Sequence, residues 1–138
     1  MSNMFQDVKE FQTAVGQNVG QAPSFPDGDE RVLRMRLLKE EFDEYNQGEY
    51  NNDLENIAKE LADIIYIVCG TAVSYGIPLD KVFSEVHRSN MAKLVDGKPI
   101  YREDGKVLKP EGWTPPDIEG VLNRSHLEYI CKIARITL

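Results

Sequence analysis

The chain has 138 residues, 41% of them hydrophobic, 28% charged and 9% aromatic, with a formal net charge of -7. That length suits one domain around one core, no apolar run is long enough to span a membrane, and an acidic surface with scattered Lys and Arg disfavours a nucleic-acid partner. The opening stretch Met1 to Asp7 is polar and acidic, unlike an export signal, so a cytoplasmic location is expected.

Phe5, Val8, Phe11 and Val15 recur at helical spacing and predict a first helix from Met4 to Val15, ending near Gly16. A loop bearing Gly20, Pro23, Pro26 and Gly28 follows; Asp29 is then the expected cap of a second helix running to Gln47, with Gly48 as its stop. The third helix is predicted from an Asn52 or Asp53 cap to Tyr75, with Gly76 beyond it. It is apolar on nearly every side from Leu61 to Val73, which places it centrally or beneath a partner subunit. Pro78 stands in the first turn of a fourth helix, where its missing N–H costs nothing, and Leu79, Val82, Phe83, Val86 and Met91 carry the pattern towards Lys93.

The turn dipeptides Asp96-Gly97 and Asp104-Gly105 then flank Pro99-Ile100-Tyr101-Arg102, with Lys106 to Lys109 beyond, predicting a short β-hairpin-like arm. After an irregular stretch from Pro110 to Pro116, Ser125-x-x-Glu128 resembles a capping box ahead of Leu127, Ile130, Cys131, Ala134 and Leu138. The expected architecture is all-α, a four- to five-helix bundle with the arm after its fourth helix. Residues 1–118 form the domain and 119–138 a C-terminal helical tail. Cys69 and Cys131 are far apart, lack metal-ligand spacing and read as core thiols.

The second helix carries Glu40-Glu41-x-x-Glu44 and the third Glu60-x-x-Asp63. Residues three apart share a helical face, so two such pairs on neighbouring antiparallel helices would make a four-carboxylate cleft. Most acidic pairs on helices are simply a solvated face, and Glu40, Glu41 and Glu44 alone carry no more than that. Glu60 and Asp63 differ, because they flank the direction of Ile67 and Ile64 within the most apolar helix. Acids there need a compensating partner. Either a divalent cation or salt bridges from residues such as Arg34 and Lys59 would serve, and hard oxygen ligands favour Mg²⁺, with Mn²⁺ as a substitute.

Glu41-x-x-Glu44, fifteen residues, then Glu60-x-x-Asp63 resembles the signature of the MazG-like, all-α nucleoside triphosphate pyrophosphohydrolases. The resemblance extends through Arg34-x-x-Leu37-Leu38, Glu60-Leu61-Ala62-Asp63-Ile64-Ile65-Tyr66, Tyr75-Gly76-Ile77-Pro78-Leu79, Ser89-Asn90-Met91-Ala92-Lys93 and the segment from Asp96 to Pro110. It covers Phe11 to Asp117 and is closest to the stand-alone branch similar to phosphoribosyl-ATP pyrophosphohydrolase. What it implies is cleavage of a nucleoside triphosphate between the α and β phosphates, giving the monophosphate and pyrophosphate. It further implies Mg²⁺ on Glu41, Glu44, Glu60 and Asp63, and a homodimer or homotetramer.

Within that resemblance Glu40 or Glu41 would orient or deprotonate the attacking water. Asn90, Lys93, Lys106 and Lys109 would line the same mouth and bind the phosphates. Trp113, Tyr101 and Tyr66 are lone aromatics, more often packing residues than base-stacking platforms, and His87 and His126 have no assigned role. A base-selective relative acting on purine deoxynucleotides, dUTP, dCTP or phosphoribosyl-ATP is the nearest alternative. A non-catalytic oligomeric helical module is the alternative of another class.

Overall fold

The computed structural model describes residues 3–137. Leu138, read from the sequence as the last apolar position of the C-terminal helix, lies outside them, as do Met1 and Ser2. Five helices follow one another: α1 (Met4–Ala14), α2 (Gly28–Tyr50), α3 (Leu54–Tyr75), α4 (Leu79–Met91) and α5 (Ile118–Thr137). The described residues contain no strand, and none of their helices is by itself long and apolar enough to cross a membrane. The chain forms two compact units, one ending at Leu79 and the other starting at Asp80.

In the first unit, Asn3 caps α1 by accepting from the Phe5 and Gln6 amides at 3.1 and 3.4 Å. The cap of α2 is Asp27, two residues earlier than the sequence pattern suggests, its carboxylate accepting from the Glu30 amide at 2.9 Å. Asp29 and Glu30 consequently sit in the first turn, where negative charge meets the positive end of the helix dipole.

Gly48 does not stop α2, which continues to Tyr50. A Cβ there would come within 2.8 Å of Asn56 Nδ2 and 3.1 Å of Ile57 Cγ1, so the glycine lets α2 lie close against the start of α3. Asn56 also donates its side-chain amide to the Glu44 carbonyl at 3.2 Å. Asp53 is the cap of α3, accepting from the Asn56 amide at 3.1 Å. Gly76 ends the helix in the left-handed region at φ 67°, and a Cβ on it would strike the Ala22 carbonyl.

Helix α3 packs against both α1 and α2. Val8 of α1 is buried with Cys69, Ala72 and Val73 of α3. Beside this core lies a buried polar knot: Gln12 Nε2 donates to the Asn18 carbonyl at 2.9 Å and to Ser74 Oγ at 3.3 Å, and Arg34 Nη2 reaches the same hydroxyl at 3.0 Å. Gly70 makes room for it, since a Cβ there would meet Gln12 Oε1 at 2.6 Å. On the opposite flank Leu38, Phe42, Leu61, Ile65 and Val68 stay exposed.

In the second unit, Trp113 donates its indole N–H to the Ser89 carbonyl at 2.6 Å, which seats the ring at the end of α4. The arm after α4 is a pair of turns closed by isolated antiparallel bridges, Val95 to Lys98 and Tyr101 to Val107. Pro99 has no amide to give to a ladder, which keeps the segment from extending into strands. Helix α5 starts seven residues before the Ser125 capping box, because Asp117 caps it by accepting from the Gly120 amide at 2.9 Å. Ser125 and Glu128 lie inside the helix. The Asp117 amide in turn donates to Glu85 at 2.9 Å, tying the start of α5 to α4.

Candidate metal centre

Helices α2 and α3 are joined by a tight turn, so acids late in α2 face acids early in α3. Carboxylate oxygens of Glu41, Glu60 and Asp63 lie within 4.8 Å of one another. Glu60 is 2% exposed and faces into the α2–α3 contact; Glu41 and Asp63 are half-buried. Glu44 is exposed, and its carboxylate acts on Glu41 as a like charge. Glu40, one residue before Glu41, points away and lies 3.9 Å from Arg36.

Three like charges in so small a space are unequal in consequence. Burial, then a hydrogen bond to Glu60, then the charges of Asp63 and Glu44 push the Glu41 carboxyl up to about 7. Glu60 is held below the usual carboxylate range, chiefly by the Lys59 ammonium beside it. The two are pushed in opposite directions, so of the pair Glu41 is the one that takes up a proton first.

Lys59 Nζ lies 3.0 Å from Glu60 Oε1 and 2.7 Å from Asp63 Oδ2. Of the two salt-bridge partners that the sequence offered, Lys59 is on the acids, whereas Arg34 is turned to Ser74 and to Glu30, 3.9 Å away. The lysine leaves work undone: Glu41 Oε2 and Glu60 Oε2 are buried with no hydrogen-bond partner. Buried carboxylate oxygens without a donor are costly. Hard oxygens from three or four carboxylates are the donor set that Mg²⁺ or Mn²⁺ takes, and an ion on the orphaned pair would supply the missing positive charge. The residues fit such an ion.

The sequence-derived phosphate ligands belong to the second unit. Lys93 Nζ donates to Asn90 Oδ1 at 2.9 Å and stands 5.8 Å from the Trp113 ring centroid. Lys109 stands 4.7 Å from the same centroid. Trp113 is thus where Lys93 and Lys109 converge, a relation that no spacing in the sequence discloses. Lys106 is bound through its backbone amide, which donates to Asp104 at 3.1 Å, and its side chain is exposed.

A family model described as phosphoribosyl-ATP pyrophosphohydrolase matches residues 8–90, more than half of the chain. The matched stretch holds Glu40, Glu41, Glu44, Glu60, Asp63 and Asn90 and stops before Lys93. No curated protein matches the chain.

Proposed function

We propose, since the chain belongs to the phosphoribosyl-ATP pyrophosphohydrolase family of the MazG-like all-α superfamily, that it hydrolyses a nucleoside or deoxynucleoside triphosphate to the monophosphate and pyrophosphate. Pyrophosphohydrolase activity on a nucleotide is the family's; the triphosphate substrate and the dependence on Mg²⁺ are our reading. The observation that carries it is the cluster of Glu41, Glu60 and Asp63 around the buried Glu60, with two buried carboxylate oxygens left without a partner.

In this reading Glu41, Glu44, Glu60 and Asp63 hold Mg²⁺, for which Mn²⁺ substitutes. Bound there, the ion would neutralise phosphate charge and lower the pKa of a water molecule. Glu41 is the favoured group to orient and deprotonate that water, because it lies in the cluster while Glu40 faces Arg36. Glu60 and Asp63 fix the site from α3. Asn90, Lys93, Lys106 and Lys109 bind the phosphate tail.

We further propose that the chain works as a homodimer or homotetramer. Met35, Leu38, Phe42, Ile64 and Val68 line an apolar trough of about 570 Å³ on the α2–α3 face, next to the acids in sequence. A second copy of the same face would cover it. Light scattering at micromolar concentration should report a mass of at least two chains; a stable monomer would count against this.

The deciding experiment is pyrophosphate release measured across the NTPs, the dNTPs and phosphoribosyl-ATP, with Mg²⁺ and with chelator. We expect release that needs Mg²⁺ and is lost in Glu60→Gln and Asp63→Asn while the far-ultraviolet helical signal is kept. No release from any of these nucleotides would leave the helical module as the better reading. The nucleotide preferred in the screen would separate a broad enzyme from a base-selective one.

A further inference from the structure

Adjacent residues on a helix point about 100° apart, so a side chain seldom reaches its immediate neighbour. Lys59 does: its ammonium touches Asp63, four residues on, and folds back to Glu60, the next residue. The lysine side chain is 64% exposed, whereas the Glu60 side chain that its ammonium touches is 3% exposed. An exposed lysine thus reaches both a buried acid, Glu60, and a partly exposed one, Asp63. An ordinary solvated Lys–Asp pair contributes little and has no such second contact.

The charge balance explains the conformation and exposes its shortfall. Three carboxylates converge and one ammonium answers two of them; Glu41 receives nothing from it, and Glu41 Oε2 and Glu60 Oε2 stay without partners. A divalent ion at those oxygens would sit close to the ammonium and repel it. Lysine is a compact charge on a flexible stem, and its exposed side leaves an open path to solvent. Exchange of ammonium for metal therefore requires only a side-chain swing.

We propose that Lys59 is an internal counter-ion of the acid cluster, holding it together when empty and competing with the incoming metal, so that this residue sets the metal affinity. The proposal rests on the reading of Glu41, Glu60 and Asp63 as a metal site. It carries two consequences of opposite sign. Removing the ammonium strips the empty cluster of its only close cation among the described residues, which weakens the empty fold. The same change removes the competitor, which tightens the metal. A residue that merely builds the site would lower both, and a solvated ion pair would move neither.

The test uses the full chain without nucleotide. Lys59→Met and, in parallel, Lys59→Gln are titrated with Mn²⁺ by calorimetry and melted in chelator and in saturating Mn²⁺. We expect Mn²⁺ to bind about three- to tenfold more tightly than in the natural protein, the size expected for losing two competing contacts of this kind. The melting temperature should fall in chelator and recover in Mn²⁺, and Lys59→Arg, which keeps the charge, should follow the natural protein in both. Unchanged or weaker Mn²⁺ binding in both neutral variants, with binding retained by the natural protein, would overturn the role of Lys59 alone. Absence of Mn²⁺ binding in every variant and in the natural protein would overturn the metal reading with it.

Discussion

Helices α2 and α3 hold two polar clusters, each around a buried residue, and they solve opposite problems. Around Arg34, a cation meets the Ser74 hydroxyl at 3.0 Å and the Glu30 carboxylate at 3.9 Å, while Gln12 shares the hydroxyl and closes the group against α1. Opposite charges and neutral donors leave only the Arg34 Nε without a partner. Around Glu60, the converging groups are acids of one sign, and two of their oxygens are orphaned. A buried polar residue therefore means different things in the two: the first cluster is a fastening between three helices, and the second is incomplete without added positive charge.

The largest contrast should come from Glu41→Gln, which removes a carboxylate from the incomplete cluster. Pyrophosphate release should fall by at least about a hundredfold if Glu41 handles the water. Stability should move the other way. A carboxyl raised to about 7 in the fold, against an ordinary value of 4.5, contributes stability that is whole below about pH 4.5. That contribution is lost as pH rises through about 7, because the folded state binds the extra proton only below that point. In chelator, then, the glutamine variant should gain on the natural protein between pH 5 and pH 8, with the difference level above that. A variant less stable than the natural protein at pH 8 would remove the like-charge account of this cluster.

Ser74→Ala tests the fastening. It leaves Arg34 Nη2 and Gln12 Nε2 short of a buried acceptor, and the expected cost is about 1–3 kcal/mol in denaturant unfolding. Mn²⁺ affinity should stay as it was, because nothing in the knot touches Glu41, Glu60 or Asp63. A matching loss of metal binding would merge the two clusters into one unit.

The incomplete cluster was legible in the sequence and the fastening was not, for a physical reason. Glu41, Glu44, Glu60 and Asp63 are paired at helical spacing, and Glu60 stands out because an acid in an apolar helix breaks its pattern. Gln12, Arg34 and Ser74 come from three helices with no shared spacing, and only packing brings them together. The same limit explains the helix ends. Gly48 carries a stop signal that is overridden because a close contact with Asn56 and Ile57 needs the missing side chain. Ser125 and Glu128 form a capping pattern that Asp117, eight residues upstream of Ser125, pre-empts. Local chemistry proposes boundaries, and tertiary contact chooses among them.

Glu40→Gln should give the smallest effect, and it separates position in sequence from position in the cluster. Glu40 neighbours Glu41 yet lies about 100° around the helix, its side chain is 56% exposed, and its nearest cation is Arg36 at 3.9 Å. Surface pairs of that kind rarely matter, so stability should change by no more than about 0.5 kcal/mol. Mn²⁺ affinity should hold within about twofold and pyrophosphate release within a few-fold, since Glu40 is not among the acids that converge, Glu41, Glu60 and Asp63. Loss of turnover with metal affinity intact would transfer the water from Glu41 to Glu40. That outcome would mean that the reacting water sits outside the converging acids, held by a carboxylate that is more than half exposed.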